Sequence, residues 1–270
     1  MKNIILILLL VCNCAYSQSA FSFRNAAFVG ALKPKAKSGN TLLTSLFSYW
    51  KLDETGTYGA RADSSANHVD LDAPNGADYS AGLINYAYYC PENNDGYLIN
   101  VDSVGQNIYG ASEFTISFWV NWSLGPSEYD AQGIISIGEG FCIQARPYDG
   151  AYSFFCRTAD PQADSNYYIS YNFGSANFNS WDHVVVTRSL DGYLRFYVNN
   201  SLTDTIPISG AIQGNPYDIF SSSDIILGRL VYGYPLYGSI DEFGVWTRAL
   251  TSLEVESLYN GGNGKPFNTF

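Results

Sequence analysis

From Leu46 onward the chain alternates between short apolar runs and turn residues. The first run holds Phe47, Tyr49 and Leu52, with Trp50 on the other face. Others follow at 83–89, 97–101, 114–120, 133–137, 141–145, 152–156, 167–171, 183–188, 194–198, 225–227 and 238–246. Their length and spacing predict β-strands. Helical periodicity appears only after Thr251, where Thr251 and Glu254 form a capping box and Gly261-Gly262 supply a stop. About a dozen strands and one short C-terminal helix predict an all-β, two-sheet antiparallel jelly-roll sandwich.

Alternation fails once, in the last strand. Ile240 and Phe243 are three apart, whereas Phe243 and Val245 are two apart. A β-bulge at Asp241-Glu242 restores the register and re-aims one of the two carboxylates.

Composition agrees with this reading: 46% hydrophobic and 16% aromatic residues, with 22 Tyr, 16 Phe, 25 Gly and a single Met, favour strands and turns over helices. The net charge of −11 disfavours nucleic acid and anionic lipid as partners and suits divalent cations or neutral ligands.

Residues 1–17 read as a signal peptide, with Lys2, the apolar run Ile4 to Val11 and the small-x-small site Ala15-Tyr16-Ser17. The run is too short to span a bilayer, so no membrane insertion is expected after cleavage. Lipidation at Cys12 or Cys14 is the rival reading. A secreted or cell-surface protein is expected, with a virion-associated one as the alternative. Residues 18–44 form an extension: Phe21 to Leu32 has the pattern of a short amphipathic helix, and 33–40 is basic and broken by Pro34. It serves as a spacer or as the attachment arm to a larger assembly. The folded domain is expected over 45–262, with 263–270 as a tail.

Three cysteines remain after processing. Cys142 and Cys156 flank the turn 147–150 of a hairpin, and with Arg146 facing Tyr152 they stand opposite each other, close enough for a disulfide. Cys90 is left over.

Several segments spell a family. Tyr49-Trp50-Lys51-Leu52-Asp53-Glu54, Asp63-Ser64-Ser65-Ala66-Asn67, 114–120, Trp181-Asp182-His183-Val184-Val185-Val186-Thr187, 194–200, 225–229 and the last strand occur in the order of the motifs of concanavalin A-like, laminin G-like jelly-roll domains. The resemblance covers about 46–260, with Ala66 where the family usually has Gly and Tyr89-Cys90-Pro91 replacing its usual Phe-Asp-Gly. It implies an extracellular recognition module for a glycan or a surface protein, or a structural or adhesive component of a cell surface or phage particle. It also implies a structural calcium ion, with Asp63, Asn67 and Asp241 at the matching positions.

Ligand contacts are expected on tyrosine-rich loops, at Tyr148, Asp149, Tyr167, Tyr232 and Tyr234, where rings stack on sugars and Asp bonds hydroxyls. For catalysis the residues offer little. Only His68 and His183 exist, no Gly-x-Ser-x-Gly elbow is present, and no Glu-x-Asp-x-x-Glu strand pairs two acids on one face. A glycan-processing hydrolase is therefore the weakest reading, and a non-catalytic module is expected.

Overall fold

The computed structural model describes residues 41–90, 96–101, 104–123, 131–157, 168–208, 210–213, 224–231 and 233–270. The signal segment, the extension up to residue 40, Tyr167 and Tyr232 lie outside them. One compact unit takes in Gly39–Phe270. In chain order its strands are β1 (Leu46–Trp50), β2 (Asp78–Ala81), β3 (Tyr86–Cys90), β4 (Leu98–Asn100), β5 (Phe114–Trp122), β6 (Gln132–Ile137), β7 (Phe141–Arg146) and β8 (Ala151–Arg157). There follow β9 (Tyr168–Ser175), β10 (Trp181–Arg188), β11 (Tyr193–Val198), β12 (Ser201–Pro207), β13 (Ile225–Leu227), β14 (Arg229–Leu230), β15 (Gly233–Pro235), β16 (Gly238–Trp246) and the helix α1 (Ser252–Tyr259).

Two antiparallel sheets make the sandwich. The larger runs β12-β11-β10-β5-β16-β3-β2, with β1 also on β16; the smaller runs β4-β13-β6-β7-β8-β9, and β14-β15 is a separate ribbon. Between the sheets lies one core, in which Phe118, Val184, Phe196, Ile240 and Phe243 meet Ile135, Phe141, Ile143, Phe154 and Ile225. Phe114 packs edge-on against Phe141 at 6.0 Å, and Phe154 against Phe196 at 5.3 Å. Such offset and edge-to-face contacts add to the area that the rings bury.

The outer face of the larger sheet is also covered. Tyr49, Val185, Tyr197 and Trp246 alternate with core residues and pack under Leu42, Leu250, Val255, Leu258 and Phe270. Residues 263–270 thus contribute to packing through Phe267 and Phe270, whose rings sit 5.1 and 4.9 Å from Tyr49. Gly244 is required beneath this layer, because a Cβ there would stand 2.6 Å from the Trp246 ring and 2.7 Å from the Tyr49 ring.

The expected cap on α1 is present. Thr251 Oγ1 accepts from the Glu254 N–H, and Glu254 accepts from the Thr251 N–H. The helix stops one residue earlier than the glycines, at Asn260, which takes the left-handed conformation itself at φ 48°. Arg248 grips Glu254 with two hydrogen bonds of 2.7 and 2.9 Å. Burial alone pushes the Glu254 carboxyl up, but the guanidinium and the capping donors outweigh it and hold the carboxyl at about 2.

The hairpin β7-β8 corrects one expectation. Its register sets Arg146 against Ala151, not Tyr152, so Cys142 faces Phe155 and Cys156 faces Phe141. One residue of slip moves the two thiols to opposite faces of the sheet. Both are free: Cys156 is buried in the core and Cys142 is half-buried on the outer face.

Candidate functional site

The bulge in β16 lies where the sequence puts it. Pairing with β5 jumps from Asp241 with Trp119 to Gly244 with Ser117, which leaves one extra residue on β16, and Glu242 takes φ 50°. As a result both acids face outward, unlike neighbours in a regular strand. Asp241 stands opposite Trp119, and Glu242 accepts a short hydrogen bond from Tyr49 Oη on the covered outer face. Asp241 is completely buried; its Oδ2 accepts from the Ile84 N–H at 3.0 Å and its Oδ1 has no partner. Burial pushes the Asp241 carboxyl up to about 8, with Glu242 and Asp53 adding to the rise. Burial likewise raises Glu242 to about 7.

Asp63 and Asn67 are engaged elsewhere. Asp63 Oδ1 accepts from the Tyr49 and Ser65 N–H groups, and Oδ2 from Ser65 Oγ and the Val69 N–H. Four donors saturate a carboxylate, so Asp63 organises its loop. Asn67 Nδ2 donates to the Phe47 carbonyl at 2.6 Å. The charge neighbours of Asp241 are Glu242 and Asp53, not Asp63. Asp63 is thus engaged with its own loop and Asn67 with Phe47, and among the described residues no three His, Cys, Asp or Glu side chains converge on a metal position.

On the same covered face Ser117 Oγ lies 2.9 Å from His183 Nε2. Nothing completes a triad, since His183 Nδ1 has no acceptor. The imidazole stacks on Trp119 at 4.9 Å and under Tyr259 of α1 at 6.1 Å. Burial drives its pKa down to about 3, so it is neutral across physiological pH.

The outer face of the smaller sheet carries a different pattern. Strand β7 alternates Phe141, Ile143 and Ala145 inward with Cys142, Gln144 and Arg146 outward. Cross-strand partners share a face, so Ser153 and Phe155 of β8 and Ser170 and Asn172 of β9 join the outward set. The result is a polar stripe. Gln144 Nε2 donates to Ser153 Oγ at 3.2 Å, and Asn172 Nδ2 to Asp149 Oδ2 at 3.2 Å, while Arg146 Nε pairs with Asp149 Oδ2 at 3.0 Å. Tyr148, 72% exposed, stands at the tip of the same turn. Along β7 the stripe from Cys142 to Arg146 measures about 13 Å at the usual strand rise.

At its Cys142 end the stripe opens into a cavity of about 210 Å³, lined by Ser136, Glu139, Cys142, Gln144, Phe155 and Ser170 and walled by Leu230 and Val231. That wall sits close because β6 has Gly133 beneath β14, where a Cβ would lie 2.2 Å from the Leu230 nitrogen. Tyr234, 50% exposed with φ 58°, lies in β15 of the same ribbon. Of the tyrosines expected to touch a ligand, Tyr148 and Tyr234 are thus exposed and Asp149 borders the stripe, while Tyr167 and Tyr232 fall outside the described residues. Reasoning from loops missed Gln144, Ser153, Phe155, Ser170 and Asn172. Reading the polar phase of β7, β8 and β9 together is the signal that finds them.

The two packed antiparallel sheets define a jelly-roll β-sandwich. The chain belongs to the family described as the concanavalin A-like lectin/glucanases superfamily, whose model matches residues 92–256. Among curated proteins it is 24% identical over 208 residues to botulinum neurotoxin type E of Clostridium butyricum, covering 68% of this chain and 16% of the toxin. Among solved structures it is similar to the binding domain of botulinum neurotoxin serotype D, with TM-score 0.61, 17% identity and coverage of 82% of this chain and 53% of that one. The binding domain of botulinum neurotoxin DC in complex with SialylT gives TM-score 0.57 at 18% identity and covers 81% and 51%; in complex with rat synaptotagmin II it gives 0.58 at 17% and covers 81% and 52%. The chain spans about half of those domains and a small part of the whole toxin. Among the described residues no helix is long and apolar enough to cross a membrane.

Proposed function

We propose that this chain is an exported, non-catalytic recognition module that binds glycan on the outer face of the smaller sheet, at Arg146, Tyr148, Asp149, Asn172 and Gln144. The carrying observation is the stripe itself: two amides and an Arg–Asp pair are held in register by three adjacent strands beside an exposed ring, with the buried Ser153 hydroxyl fixing Gln144 from below. Planar amide and carboxylate groups suit sugar hydroxyls, and rigid strands hold them at fixed spacing. A surface protein is the other partner class this reading admits, since one related binding domain is seen with SialylT and also with rat synaptotagmin II. Ser117 and His183 argue against hydrolysis at this protein's histidine, because they lie under α1 with no acceptor on Nδ1.

A glycan array tests the reading. Wild-type protein is expected to retain neutral oligosaccharides, and Asp149→Ala or Asn172→Ala to weaken retention about tenfold, the worth of one lost charge-assisted hydrogen bond or somewhat more. Both residues are exposed or bonded only at the surface, so melting should not change. Silence across the array rejects glycan as the ligand.

Calcium enters as a proposal centred on Asp241 as the one carboxylate ligand, since among the described residues no three acidic side chains converge on a metal position. A buried carboxylate oxygen without a donor needs either a proton or a cation. With calcium in excess at about pH 8.5 the melting point is expected to rise relative to chelated protein, and Asp241→Asn to abolish the rise. Equal midpoints with and without chelator would reject a stabilising ion.

A further inference from the structure

The cavity at the Cys142 end of the stripe differs from the rest of it. Phe155, Leu230 and Val231 give apolar walls, and the polar side chains of the lining are Ser136, Glu139, Gln144 and Ser170. Cys142 in the floor is uncharged, because burial pushes its thiol up to about 12. Its volume of about 210 Å³ lies below the roughly 300 Å³ at which pockets for drug-sized ligands begin, so it takes one ring or one substituent.

Charge narrows the choice further. Glu139 lines the cavity, and among the described lining residues there is no lysine or arginine. Of the outward cations, Arg146 is already paired with Asp149, and Arg157, beyond Phe155 on β8, is buried. The chain carries −11 overall. An anionic substituent would therefore be desolvated beside the Glu139 carboxyl with no lysine or arginine among the described lining residues to receive it, which costs binding energy. A bare hexose would place hydroxyls against Phe155 and Leu230, where they find no partner.

We propose that this cavity is the specificity subsite for an uncharged N-acetylated sugar, with the acetamido methyl against Phe155, Leu230 and Val231 and its amide at Gln144 and Ser170. The inference rests on the glycan reading of the stripe and adds the class of sugar. It sets this chain apart from a binder of sialylated glycans.

The test is titration of the full chain with three probes: an N-acetylglucosamine trimer, the corresponding glucose trimer and a sialic-acid-capped trisaccharide. The N-acetylated trimer is expected to bind about tenfold or more tightly than the glucose trimer, the range one apolar group earns in a fitted pocket. The capped sugar is expected to bind more weakly than either. Cys142→Phe, at a half-buried outward position, fills the cavity and should reduce the preference to about one. Leu230→Ala removes part of the wall and should lower the same ratio, which keeps the test open should Cys142→Phe fail to fold. Equal binding of the two neutral trimers, with both variants neutral, overturns the subsite and leaves the glycan reading intact. Preferred binding of the capped sugar also overturns it. Failure of every sugar, with an apolar peptide binding in a manner Cys142→Phe blocks, overturns the glycan reading as well.

Discussion

Asp182→Ala is expected to destabilise the protein by about 3–5 kcal/mol, a large loss for a single polar substitution. Asp182 is 1% exposed in β10 and accepts four hydrogen bonds. Tyr152 Oη and the Asn177 N–H reach Oδ2 at 2.8 Å each; Asn177 Nδ2 and Asn199 Nδ2 reach Oδ1 at 2.7 Å each. One carboxylate thereby joins β8 of the smaller sheet, β10 of the larger and the turns at Asn177 and Asn199. Removing it strands four donors, and buried donors without acceptors cost more than the hydrogen bonds themselves contribute. Asn199 also accepts from the His183 N–H with its own backbone at φ 50°, so the turn between β11 and β12 loosens too. Denaturant midpoints check this: the midpoint should fall sharply with unchanged slope. Asp182→Asn, which keeps one oxygen, should lose about half as much. A loss under about 1 kcal/mol would show that water replaces the carboxylate at little cost.

The second large effect concerns pH and runs opposite to ordinary acid denaturation. Asp241 and Glu242 are raised by burial to about 8 and about 7, so between about pH 4 and pH 8 the folded chain holds protons that the unfolded chain has released. Their contribution is full below that window and is lost as pH rises through it. The groups facing them are Asp53, Tyr49 and, for Glu242, Lys51. Glu254 works in the other sense: held at about 2, it contributes above the usual glutamate range and loses that contribution on acidification. In chelated protein stability should therefore peak near about pH 4 and fall by several kcal/mol by about pH 8.5. Asp241→Asn should flatten the alkaline limb, since an amide needs no proton, while leaving the acid limb in place. A flat profile from about pH 5 to 8.5 in the wild type would sink this assignment.

Much of the architecture was legible because apolar phase and turn chemistry are local. The spacing of Ile240, Phe243 and Val245 located the bulge, and Thr251 with Glu254 located the helix start. Strands β2 and β12 were not legible. Asp78-Tyr79-Ser80-Ala81 and Ser201-Leu202-Thr203-Asp204-Thr205-Ile206-Pro207 are edge strands whose exposed positions dilute any alternation. The thiol pairing failed for a narrower reason: the four-residue turn 147–150 closes on Arg146 and Ala151, and a register one residue off reverses every face. At the candidate site the sequence offered single tyrosines, whereas the structure offers a row across three consecutive strands at Gln144, Ser153 and Asn172. Their adjacency depends on register, which composition does not carry. The role of Asp241 changed in the same way. Asp63 is consumed by its own loop, and Asp241 keeps one oxygen without a donor beside Asp53 and Glu242.

Leu42 and Phe270 lie in one cluster on the outside of the larger sheet, where Trp246 Nε1 donates to the Leu42 carbonyl at 2.7 Å. The stripe is on the outside of the other sheet. Both segments are thus held on the side away from the stripe, and the Trp246 indole ties residue 42 to the last strand of the larger sheet.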